Sequence, residues 1–186
     1  PIALAVVFGL CAVVMIGIMV YFSCIDTKTD LGSFERIIRF NDIWGTHRGF
    51  MWIRSIWIFG DASFIEKLFG VGPDMFYSAF SPYFDDLSKY GDSSTNAAHN
   101  EYLNYLITIG ITGLLSYLAI VCGTIKNAVK YAKENPMLIA CVSAVICYAV
   151  QAVVNLYQPI TTPLFFIFIA LCEAFVRNAK AEKSAV

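Results

Sequence analysis

No charged side chain interrupts the stretch from Pro1 to Phe22, and an apolar run of about 20 residues is what a helix needs to cross a bilayer. Tyr102 to Ile125 and Pro136 to Leu156 are two more such runs. A fourth, from about Gln158 to Val176, is punctuated at its start by Pro159 and Pro163. Only 15% of the 186 residues are charged and 58% are hydrophobic, whereas a soluble domain carries about a quarter charged residues. The expected fold is therefore all-α: a polytopic membrane protein with about four transmembrane helices and a long, partly helical external loop.

Residues 1–22 are expected to form the first transmembrane helix and residues 23–98 the external loop. Residues 99–186 are expected to form three further transmembrane helices with a short hairpin and a tail. Charge sets the orientation. Lys126, Lys130 and Lys133, opposed by Glu134, lie between the second and third runs, and Arg177, Lys180 and Lys183 follow the fourth. Short basic segments stay in the cytoplasm, so the hairpin and tail are cytoplasmic and the long loop external or periplasmic. The first run lacks the basic start and cleavage site of a signal peptide. The chain is thus expected to be the C-terminal part of a longer protein, beginning just before a membrane helix. The net charge of −1 names no partner by itself, and no nucleic-acid partner is expected. Five of the six cysteines lie in or at the ends of apolar runs, where free Cys behaves as a small hydrophobe. No zinc spacing occurs, and neither a metal nor a cofactor is expected.

Within the loop, Asp30 or Ser33 is expected to cap a short helix carrying Ile37, Ile38 and Phe40. The segment Arg48 to Phe59 is too short to span and too apolar to float free. It reads as an interfacial or re-entrant helix, with Trp52 and Trp57 at headgroup level. "FGVGPDMF" reads as a tight turn, and Gly110 and Gly113 as positions that let helices pack closely.

Few residues have the chemistry of a site. His99 stands at the start of the second run, where the positive end of a helix dipole disfavours imidazolium. A neutral imidazole there could accept a proton, or it could simply cap the helix in the headgroup region. Asn100 suits a cap and Glu101 the first turn. Arg48 and Arg54 lie in the apolar loop segment, where an arginine needs an anion. A diphosphate held bidentately meets that need, and so does snorkelling to phospholipid headgroups. Arg36 and Arg39 lie one turn apart, but the loop holds ten acidic residues against seven basic ones and is no general anion funnel. Asp85 and Asp86 read as solvated carboxylates rather than a metal pair.

The order of these segments is more specific than any one of them. "GTHRGFMW" is followed by "LFGVGPDMF", then by "AHNEYLNYLITIGITGLL" and a hairpin of membrane helices. This order resembles the C-terminal half of the bacterial O-antigen ligase and polymerase superfamily, over Gly45 to Phe76 and Ala98 to Tyr117. The resemblance implies a GT-C-like fragment of a multi-pass enzyme of the bacterial inner membrane. It also implies partners: an undecaprenyl-diphosphate-linked glycan donor, a glycan or lipid acceptor, and membrane lipids. His99 would activate the acceptor hydroxyl, and Arg48, with Arg54, would hold the donor diphosphate. Asn100, Tyr102 and Trp52 would support them. The reaction would be inverting and metal-independent, in O-antigen, capsule or exopolysaccharide synthesis. A non-enzymatic alternative is a glycan-lipid transporter or assembly subunit. That reading expects ionisable residues deep within the spans, and the spans hold almost none.

Overall fold

The computed structural model describes residues 2–184; Pro1 and residues 185–186, the ends of the expected first span and tail, lie outside them. Every regular element among the described residues is helical, as the apolar runs predict. Helix α1 (Ile2–Val20) continues into one π-helical turn, Tyr21–Ile25. The loop folds into α2 (Glu35–Ile38), α3 (Trp44–Asp61), α4 (Phe64–Phe69), α5 (Phe76–Phe80) and α6 (Phe84–Ser88). The remainder forms α7 (Glu101–Thr108), α8 (Gly110–Tyr131), α9 (Met137–Gln151) and α10 (Thr161–Ser184). Among the described residues, Gly110–Tyr131 is the one helix both long and apolar enough to cross a membrane. Gly9–Ile25 and Met137–Gln151 are apolar but shorter.

Helices α8, α9 and α10 pack together in layers. One layer joins Ala128, Leu138, Cys141, Val142, Cys172 and Val176, and the next joins Tyr117, Val121, Val145 and Phe165. Numbers fall along α8 as they rise along α9 and fall along α10, so neighbours in sequence run antiparallel. The two basic segments therefore meet at one end of the bundle. Lys183 Nζ donates to Glu134 Oε1 at 2.6 Å. The ammonium groups of Lys130, Lys180 and Lys183 lie 5.4, 5.7 and 5.7 Å from the Tyr131 ring. Pro163 is harmless in α10 because it sits in the first turn, where backbone N–H groups have no helical acceptor.

The loop has a core of its own, built from Phe50, Met51, Phe76, Phe80, Leu87, Ala98 and Ile107. Ile107 belongs to α7, so the second apolar run contributes to this cap as well as to the bundle. That run is not the single helix its composition predicts; it breaks at Ile109–Gly110. The cause is the Gly/Pro turn. Val71 N–H donates to the Ile107 carbonyl and Gly72 N–H to the Thr108 carbonyl, both at 3.0 Å, and Thr112 Oγ1 donates to the Leu68 carbonyl at 2.7 Å. The last carbonyls of α7, which lack helical partners, are thus taken by the turn. The chains touch through glycine on both sides. A Cβ on Gly70 would stand 2.3 Å from the Thr108 backbone, and one on Gly110 would stand 2.4 Å from the Leu68 backbone. Gly110 therefore serves a helix–turn contact rather than the helix–helix contact expected, and Gly113 lies against the Ile109 side chain.

The start of the loop also differs from expectation. Asp30 Oδ1 accepts the Gly32 N–H at 2.8 Å, which makes a local turn, and neither Asp30 nor Ser33 caps α2. Phe40 lies past the end of α2 and packs with Trp44 and Trp52 instead.

Candidate functional site

The long loop places its arginines through an unusual backbone. Gly45, Thr46 and His47 are all left-handed, with φ of 59°, 61° and 67°, and regular helix resumes at Arg48. A non-glycine residue in that region costs about 1–2 kcal/mol, so the segment holds strain directly before Arg48. Arg48, Trp52 and Ser55 then fall at i, i+4 and i+7, on one helix face. Arg48 Nε, Trp52 Nε1 and Ser55 Oγ are buried and lack a hydrogen-bond partner among the described residues. A buried donor left unpaired costs about 1–3 kcal/mol, and native structures hold few of them. The three lie on one face, with Ser55 fully buried.

Arg48 has no carboxylate partner among the described residues, and its Nη1 donates to the Gly45 carbonyl at 3.1 Å. Arg54 is different. It grips Asp42 with both Nη atoms, Nη2 to Oδ2 at 2.8 Å. Its guanidinium lies 4.1 Å from the Phe50 ring and 4.8 Å from that of Trp57. Asp42 also faces the Tyr90 hydroxyl at 3.4 Å. The two arginines read together from the sequence therefore stand in different chemical states. Arg39 is likewise occupied, by Glu35 and by the carbonyls of Phe22, Asp26 and Thr29.

His99 is half-buried, between buried Ala97 and Ala98 on one side and buried Asn100 and Glu101 on the other. Its φ is 50°, a conformation that Asn, Asp and His adopt more readily than most residues. Asn100 Oδ1 accepts the Leu103 N–H at 3.0 Å, so the cap belongs to Asn100 and leaves the imidazole free of that duty. Burial holds the His99 pKa below the ordinary imidazole value, and the Arg48 charge pushes it the same way, while Asp92 opposes both. His99 and Arg48 are thus within electrostatic reach of each other. Tyr102 donates its hydroxyl to the Ala149 carbonyl at 2.7 Å, which pins α7 to α9. Trp52 packs its ring 5.0 Å from that of Trp44.

Sequence reasoning gave Glu101 only a place in the first turn, which it holds. It is 1% exposed. Its Oε1 accepts the hydroxyls of Tyr105 at 2.9 Å and Tyr117 at 3.3 Å, and its Oε2 accepts that of Tyr148 at 2.9 Å. Its N–H donates to the Ala152 carbonyl at 2.9 Å. The residue after His99 is therefore tied to α8, α9 and the α9–α10 linker together. The signal in the sequence is one carboxyl at the mouth of an apolar run, with tyrosines at 105, 117 and 148 within the apolar runs.

The sequence model of the family described as O-antigen ligase matches residues 2–118, more than half of the chain. No curated protein matches, and no solved structure does.

Proposed function

Because the chain belongs to the O-antigen ligase family, with the membrane location and the glycosyltransferase-like role in polysaccharide synthesis that membership carries, we propose that it joins a lipid-diphosphate-linked glycan to an acceptor hydroxyl through His99 and Arg48. The observation that carries this reading is an Arg48 with no carboxylate partner among the described residues, whose charge adds to the burial that lowers the His99 pKa. Arg48 offers the donors that diphosphate oxygens would accept, and Trp52 lies one turn on along the same helix face. Arg54 is held by Asp42, so its charge is already met by that carboxylate. The lipid carrier would be undecaprenyl diphosphate.

The chemistry needs two things, a base for the hydroxyl and charge stabilisation for the leaving group. His99 takes the proton as the acceptor oxygen bonds to the anomeric carbon. The bond from that carbon to the diphosphate oxygen breaks on the opposite face, which inverts the centre. The lipid diphosphate leaves with the electron pair, held by Arg48, and His99 afterwards passes its proton to solvent or to the released diphosphate. No metal is required when guanidinium already meets the phosphate charge.

For topology, α1, α8, α9 and α10 would cross the membrane, with α2–α7 on the external or periplasmic side. The meeting of both basic segments at the other end of the bundle supports this orientation.

Two expected results follow. Arg48→Lys in the full-length protein weakens donor binding by at least about tenfold, because a point charge cannot reproduce a planar bidentate donor. Titration with donor lipid checks this, and unaltered affinity rejects the diphosphate role. The base acts in its neutral form, so transfer falls as pH drops through the lowered His99 pKa. Asp92 raises that pKa, so Asp92→Asn moves the acid limb of the rate profile to lower pH. A limb that stays or moves upward counts against His99 as the base.

A further inference from the structure

A cavity of about 260 Å³ opens between the Gly/Pro turn, α7 and the start of α10, lined by Pro73, Asp74, Asn104, Tyr105, Thr108, Ile109, Tyr157 and Thr162. Neither His99 nor Arg48 lines it. Asn104 is 5% exposed, and its Oδ1 is buried with no donor among the described residues. Asp74 stands at the rim on a left-handed backbone, φ 62°, and faces the Tyr157 hydroxyl at 3.4 Å. The nearby hydroxyls are already committed: Thr108 Oγ1 donates to the Asn104 carbonyl at 2.8 Å, and Thr162 Oγ1 contacts the Tyr148 hydroxyl at 2.7 Å.

We infer that this cavity is a subsite for one neutral or N-acetylated sugar ring of the glycan. The inference rests on the glycan-transfer reading above. The unspent polar groups are the Asn104 side-chain amide, with Oδ1 buried and unpaired, and the rest of the Asp74 carboxylate, so the ligand must bring donors and can also accept, as sugar hydroxyls do. No cation lines the cavity and one carboxylate does, which disfavours phosphate and uronic acids and separates this place from the diphosphate site. Tyr105, Tyr157, Ile109 and Pro73 give the apolar wall that the C–H face of a pyranose covers. The volume falls below the roughly 300–1,000 Å³ of pockets for drug-sized ligands, so it takes one ring rather than an oligosaccharide. Three separate segments build it, and two of them, the turn and α7, are held together by the Gly70–Gly110 contact.

Saturation-transfer NMR on the full-length protein in nanodiscs tests it, with glucose, galactose, N-acetylglucosamine and glucuronate as probes. Transfer to one or more of the neutral sugars and little to glucuronate is expected. Asp74→Asn keeps a residue that tolerates the left-handed backbone, and Asn104→Leu keeps the volume. Each weakens neutral-sugar binding by about tenfold, as loss of a hydrogen bond or two would, and Asp74→Asn narrows the gap to glucuronate. No signal from any neutral sugar, or signals unchanged in both variants, overturns the subsite. Because binding is read without turnover, the subsite can stand if His99 proves dispensable for transfer, and it can fall while His99 remains essential. If Asp74→Asn raises KM for the acceptor alone, the ring belongs to the acceptor; if for the donor lipid alone, it belongs to the donor glycan.

Discussion

His99→Asn in the full-length protein slows glycan transfer by about 10²–10⁴-fold, the contribution of a positioned general base, while membrane insertion and helix content stay unchanged. Asparagine is the better replacement because His99 is left-handed, with φ 50°, and Asn occupies that region with little strain. His99→Ala removes the base too, but adds a backbone cost that would confuse a loss of activity with a loss of fold. The substitution also separates the two readings of the position. If the imidazole only finished the helix start, Asn would replace it, and the cap is in any case made by Asn100. Complementation of a strain lacking the protein, with polymer measured in the surface extract, gives the result directly. Polymer at the normal level from His99→Asn would end the catalytic assignment.

Gly110→Ala lowers stability by about 2–5 kcal/mol, combining the left-handed penalty with the cost of forcing atoms into a filled contact. The added methyl would lie 2.4 Å from the Leu68 backbone, and φ at this residue is 69°. Backbone cannot rotate aside as a side-chain tip can. Gly70→Ala meets the same obstacle from the other side, 2.3 Å from Thr108. For a chain of this length about 1 kcal/mol corresponds to roughly 2–4 °C, so the apparent melting temperature in detergent should fall by about 4–20 °C. A fall of less than about 2 °C in both variants would show that turn and helix part easily. The two substitutions touch the same contact, so the double variant should cost less than the sum of the singles.

The long-range character of that contact explains what the sequence could and could not convey. The helical class was legible because apolar runs without charge are local facts, and the cap at Asn100 was legible because capping needs only neighbours. The break at Ile109–Gly110 was not, since "LITIGITGLL" is apolar on both sides and the turn that splits it lies about forty residues upstream. Arg54 looked like a partner for Arg48 because both sit among aliphatics. Its carboxylate, Asp42, lies across the left-handed residues Gly45, Thr46 and His47, and no helical spacing reveals it. Glu101 looked like an ordinary first-turn acid, yet its three tyrosines arrive from α7, α8 and α9. By contrast, Arg48 and His99 were read as one site from the order of the segments, and the Arg48 charge adds to the burial that lowers the imidazole pKa.

The bonds around Glu101 also bear on how such chains can be recombined. The family match ends at residue 118, but Tyr148 and Ala152, which hold Glu101 from beyond it, do not. A chimera joined at that boundary would carry every matched residue from one parent and take its α9 and linker from another. It would inherit a foreign seat for the residue beside His99, so a workable exchange has to move positions 101 and 148 together, whereas the bond from residue 152 is made by a backbone carbonyl that any residue supplies.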